Sequence, residues 1–130
     1  MTKRINISSG TKWEKAVGYS RAVKVGNQVF VTGTTSVDEN GNIIGIGDVY
    51  KQTKFIISKI EKYLNKAGAK LEDVVRTRMF VVNITDWKEI GNAHYEFFKD
   101  IKPATTMVEV NGLIEPDLLI EIEADAVITK

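Results

Sequence analysis

The sequence predicts one α+β domain: a mixed, mostly antiparallel sheet with two helices on one face, in the order β-β-α-β-α-β-β. Three observations predict it. Strand-like runs outnumber helical ones, and LLIEIEADAV near the C-terminus alternates apolar and acidic residues without a break. Two other segments carry apolar residues at three- and four-residue spacing, so each helix has one face to bury against a sheet. At 130 residues the chain can build one core but not two, so residues 1–130 form a single domain.

Taken in order, Lys3 to Ser8 reads as a short first strand. YSRAVKVGNQVFVTGTT reads as a hairpin with arms Tyr19 to Val25 and Gln28 to Thr34, joined by Gly26-Asn27 as a two-residue turn. Asn40-Gly41 marks another tight turn, with a short strand or loop through Ile43 and Ile44. Asp48 caps a long helix whose apolar stripe is Ile56, Ile60, Tyr63, Leu64 and Ala67, and Gly68 ends it. VVRTRMFVV follows as a β-branched strand. Asp86 and Glu89 have capping-box spacing at the start of a second helix bearing Trp87, Ile90, Tyr95, Phe97 and Phe98, which stops before Pro103. Thr105 to Val110 and Leu118 to Thr129 complete the sheet.

Composition excludes several functions. The net charge of +1 gives no electrostatic footprint for nucleic acid or an anionic membrane. Without cysteine there are no disulfides, thiolate nucleophiles or cysteine-ligated metals, which fits a cytoplasmic protein. No apolar run approaches the ~20 residues of a membrane span, and the basic N-terminus lacks the apolar core of a signal peptide. No phosphate-binding loop, dinucleotide fingerprint or nucleophile elbow is present, so no cofactor is expected. The single histidine, His94, has no second imidazole for acid–base pairing or metal binding and reads as a packed or solvated side chain. Gly33 to Ser36 (GTTS) is hydroxyl-rich but has no evident base.

Two strand faces carry charge. Arg76 and Arg78 share one with Phe80 and Val82; Glu121, Glu123 and Asp125 share another. Cross-strand ion pairing accounts for both sets, and a carboxylate set in a cleft is the alternative for the acids.

VGYSRAVKVGNQVFVTGTT, VRTRMFVVNITDW, NAHYEFF and PATTMVEVNGL…LLIEIEADAV resemble the Rid (YjgF/RidA) family, formerly called L-PSP endoribonucleases. The resemblance runs from Tyr19 to Val127 in the family's order, and its closing motifs, PAxxxVEV and IEIEA, are specific. It implies a homotrimer whose sheets surround a central barrel, with helices outside and a ligand cleft at each subunit interface. It also implies hydrolysis of imines and enamines such as 2-iminobutanoate and 2-iminopropanoate to ketoacid and ammonia. Carried over residue by residue, the catalytic glutamate that positions water falls on Glu121. Substrate-binding positions fall on Tyr19, Gly33 and Asn92. The arginine that grips the substrate carboxylate falls on Thr105, and a cysteine common in the family falls on Met107.

Threonine has no charge to pair with a carboxylate. Losing one partner of a buried charge pair costs about 2–5 kcal/mol, or tens to thousands of fold in transition-state binding at ~1.4 kcal/mol per decade. The sequence therefore predicts a poor deaminase of 2-imino acids. Arg21, two residues after Tyr19, either relocates the positive charge or pairs with an acid on a neighbouring strand; Arg76 and Arg78 are weaker candidates. Three functions compete: a hydrolase or deaminase of reactive imines working through Glu121, a non-catalytic trimer binding small carboxylates, and an endoribonuclease. Neutral charge, one histidine and no basic-aromatic interleaving disfavour the last.

Overall fold

The computed structural model describes residues 3–129. Met1 and Thr2, at the head of the basic N-terminal segment, lie outside the described residues, as does Lys130.

Strand β1 (Arg4–Ile7) is followed by a short helix α1 (Lys12–Val17). Strands β2 (Ala22–Val25) and β3 (Gln28–Thr34) form the expected hairpin, Val25 pairing with Gln28 across Gly26-Asn27. Residues 35–48 contribute only an isolated Val37–Ile43 bridge. Helix α2 (Val49–Lys66) begins where predicted, the Asp48 carboxylate accepting from Lys51 N–H at 3.0 Å. It closes in a Schellman motif: Gly68, at φ 85°, donates to Asn65 O, and Ala69 donates to Leu64 O at 2.9 Å.

Strand β4 (Val74–Val81), helix α3 (Trp87–Phe98), and strands β5 (Ala104–Glu109) and β6 (Ile120–Val127) follow. The six strands are ordered β1-β2-β3-β6-β4-β5, antiparallel throughout except for the parallel β4–β5 pair. Sheet class and helical face thus match the expectation; the expected order counted five strands, the short first strand β1 makes six, and α1 is a further addition.

The core lies between α2, α3 and one face of the sheet. Val29 and Val31, Met79 and Val81, and Ile120, Ile122, Ala124 and Ala126 face Ile56, Ile57, Ile60, Leu64 and Ile90. Leu64 is fully buried. Leu64→Ala is expected to cost about 2–5 kcal/mol, measured as a lowered denaturant midpoint with an unchanged slope.

Helix α3 corrects one detail. Asp86 forms no side-chain cap; a 3-10 turn at Ile84–Asp86, capped by Asn83 accepting from Thr85 N–H, leads straight into the helix. Of the residues this helix bears, Trp87 and Tyr95 are exposed, while Ile90, Ala93 and Phe98 are buried. No helix among the described residues is long and apolar enough to cross a membrane.

Candidate functional site

The opposite sheet face carries no long helix, and its side chains are set by register. Phe80 stands opposite Glu121, Arg78 opposite Glu123 and Arg76 opposite Asp125. Arg78 Nη1 lies 3.3 Å from Glu123 Oε1 and 3.2 Å from Asp125 Oδ2. Two of the three aligned acids thus satisfy one arginine in a partly solvated ladder of modest energy. An open concavity of about 720 Å³ lies on this face, with Tyr19, Phe30, Thr32, Arg78, Glu123 and Asp125 among its walls.

Glu121 stands apart from that ladder. β3 carries a register irregularity between Val31 and Thr34, and Gly33 falls within it. A Cβ built on Gly33 would overlap Glu121 Oε2 and lie 3.1 Å from its Cδ, so the carboxylate occupies the space that a side chain there would fill. Among the described residues Glu121 has no hydrogen-bond or ion-pair partner. Burial, helped by the neighbouring Glu123 charge, holds its pKa above the usual glutamate value, and Arg21 opposes the shift.

Arg21 is buried just before β2, its backbone held between Ile7 O and Thr32 N–H. Its guanidinium lies 5.8 Å from the centre of the Tyr19 ring, and Nη1 donates to Gly33 O at 3.2 Å. The ion pair with a neighbouring acid considered for it does not form: no carboxylate among the described residues comes within salt-bridge distance.

Tyr19, Arg21, Gly33 and Glu121 are therefore neighbours. The other three candidates lie elsewhere. Thr105 pairs in register with Thr77, and their hydroxyls meet at 2.8 Å on the helix side of the sheet. Met107 packs against the core on that same side, and Asn92 is exposed on α3. A single chain does not bring the two groups together.

A family model for endoribonuclease L-PSP matches residues 10–128. The chain belongs to this family. It is 36% identical over 126 residues to the 3-aminoacrylate deaminase RutC of Acinetobacter baylyi, covering 97% of this chain and 98% of that one. The RutC family protein PYRAB12510 of Pyrococcus abyssi is 42% identical over 117 residues, 88% of this chain and 91% of its own. Among solved structures, Rv2704 of Mycobacterium tuberculosis, a member of the YjgF/YER057c/UK114 family, superposes with a TM-score of 0.88 at 48% identity, covering 97% of this chain and all of that one. Escherichia coli TdcF with bound serine gives a TM-score of 0.78 at 27% identity, covering 85% and 88%.

In this L-PSP family member Thr105 belongs to a polar chain that the sequence did not reveal. His94 Nε2 lies 3.0 Å from Thr77 Oγ1, and Thr105 donates onward to Pro103 O. One proton arrangement satisfies every bond: Nε2–H donates to Thr77, Thr77 to Thr105, and Thr105 to the carbonyl. Thr77 and His94 are on different elements, and only the β4–β5 register joins Thr77 to Thr105, so no local spacing signals the chain.

Burial pushes the His94 pKa down to about 4 from 6.5. The unfolded chain then takes up its proton before the folded one does, so this residue's contribution to stability is lost as pH falls from 6.5 through about 4. His94→Gln is expected to flatten the dependence of Tm on pH across that window, as calorimetry would measure.

Proposed function

We propose that the protein is a homotrimer that hydrolyses small imines, enamines or related carbonyl compounds in clefts between subunits, with Glu121 handling the water. The observation that carries this reading is that Glu121 alone of the three aligned acids is unpaired, lies over a glycine and has a raised pKa. Glu123 and Asp125 are taken up by Arg78. The likeness to the RutC named as a 3-aminoacrylate deaminase supports the reaction class.

The placement of the candidates supports the shared cleft. Glu121, Tyr19 and Gly33 come from one side of the sheet, while Thr105 and Met107 come from the other side at its free β5 edge. A second copy would bring one set to the other.

In the proposed cycle Glu121 accepts a proton from water as the water oxygen bonds to the imine carbon. It passes that proton to the nitrogen, giving a carbinolamine. The hydroxyl proton then moves through Glu121 to nitrogen, the C–N bond breaks, and ammonia and a carbonyl compound leave with Glu121 ionised again. A carboxylate whose pKa is raised toward the working pH is suited to both halves of this transfer.

Thr105 favours a second reading, a trimer that binds small carboxylates without turning them over. Its hydroxyl is already engaged by Thr77 and Pro103 and carries no charge. The bound serine in TdcF is consistent with that. The two readings separate when imines are generated in situ by an amino-acid oxidase or a threonine dehydratase and ketoacid release is followed. Acceleration over the uncatalysed rate supports hydrolysis. Binding without acceleration supports the carrier reading.

A further inference from the structure

We infer that Arg21 is the group that grips the carboxylate of a small anionic ligand beside Glu121, through the free Nε edge of its guanidinium. The inference rests on the reading of Glu121 as the reacting carboxylate, and its own support is geometric. Arg21 is only 8% exposed, and its Nε–H is buried with no hydrogen-bond partner among the described residues. Among the described residues the guanidinium makes one hydrogen bond, from Nη1 to Gly33 O. That leaves the Nε/Nη2 side, the edge that matches a carboxylate with two parallel bonds.

No acid among the described residues takes that edge. Glu14, the acid on the α1 side, is held by the Ser8, Ser9 and Thr11 hydroxyls. Glu123 and Asp125 belong to Arg78. Glu121 sits over Gly33, within reach of the Arg21 charge but outside salt-bridge distance. Lys59 adds a second cation to the same neighbourhood, its ammonium donating to Val37 O, and burial, helped by the Arg21 charge, holds the Lys59 pKa down. Among the described residues neither cation has a carboxylate at salt-bridge distance, although Glu14 and Glu121 feel the Arg21 charge and Asp38 feels that of Lys59, and withdrawing such charges from water is costly.

An anion placed there gains more than it would at a solvated arginine, because water screens the charge weakly. Gly18, Tyr19 and Ser20, which lead into Arg21, line the large concavity; Arg21 and Glu121 are not among its walls, so a ligand entering from this side must displace the side chains that cover the guanidinium. The reacting carbon of a short 2-keto or 2-imino acid would then lie next to Glu121.

The test compares pyruvate with pyruvamide, which has the same skeleton and no charge, by calorimetric titration of the wild-type protein and of R21Q and R21K. The expected result is that wild type binds pyruvate roughly 30-fold or more tightly than pyruvamide. R21Q is expected to lose the preference, and R21K to keep part of it because the charge remains but the fork is gone. Equal binding of the two compounds by wild type would overturn the inference, and that arm needs no variant to fold. A preference that survives in a folded R21Q would overturn it as well.

Binding and turnover fail separately. Imine hydrolysis that depends on Glu121, with no pyruvate preference, leaves the proposed reaction standing and removes Arg21. A preference lost in R21Q, with no imine hydrolysis, does the reverse.

Discussion

Glu121→Gln lowers imine hydrolysis by about 10²–10⁴-fold, the contribution of a positioned proton-transfer group, while the fold is retained. Glutamine keeps the shape and loses the exchangeable proton, so the loss falls on kcat more than on KM. The same change raises stability at neutral pH. The Glu121 pKa is raised in the folded chain, so the folded state holds its proton to higher pH than the unfolded one. Stability is then lost as pH climbs from the ordinary glutamate value through the raised one. Removing the group restores that loss, and Tm at pH 7 rises. Below the ordinary glutamate pKa the variant and wild type converge. A variant that is inactive and less stable at pH 7 would mean that the carboxylate is a structural partner.

Gly33→Ala gives the second large effect, and it separates position from chemistry. The added methyl group takes the space of the Glu121 carboxylate oxygen. Because that oxygen is the far end of a flexible side chain, the carboxylate swings away at little cost to the fold. Activity is expected to fall by about 10²-fold, the penalty of a displaced catalytic group, with Tm nearly unchanged. Full activity in Gly33→Ala would show that the observed placement of Glu121 is unrelated to turnover.

The elements long enough for periodicity to speak were legible in the sequence. Helix α2 has the predicted cap at Asp48, stripe and stop, because eighteen residues repeat the three-to-four spacing several times over. Helix α1 was not read, since six residues give no period. Its local signals were present: Thr11 stands three residues before Glu14, and Gly18 closes the turn in the left-handed conformation. On α3 the aromatic residues divide between the two faces, Trp87 and Tyr95 being exposed and Phe98 buried, so composition alone does not mark its apolar stripe. On this helix the small Ala93 is buried as well.

The candidate site was legible only in part. Alternation placed Glu121, Glu123 and Asp125 on one face, but it could not say which of them Arg78 would reach. That depends on the β4–β6 register and on the irregularity before Arg76. The division of the candidate residues between two sheet faces, and the orphaned Nε of Arg21, are likewise products of long-range packing with no local spacing to announce them.

The central claim is that the cleft takes Glu121 from one subunit and the Thr105 edge from the next. Subunit mixing tests it most directly. Glu121→Gln subunits and Thr105→Trp subunits, each inactive alone, are unfolded together, refolded at equal ratio and assayed for imine hydrolysis. If the cleft is shared within a trimer, random assembly pairs an intact Glu121 face with an intact Thr105 edge in about one quarter of the interfaces, and about that fraction of wild-type activity returns. If mixing restores nothing while wild type refolded in the same way is active, both halves of the site belong to one chain, and the account of a cleft between subunits is wrong.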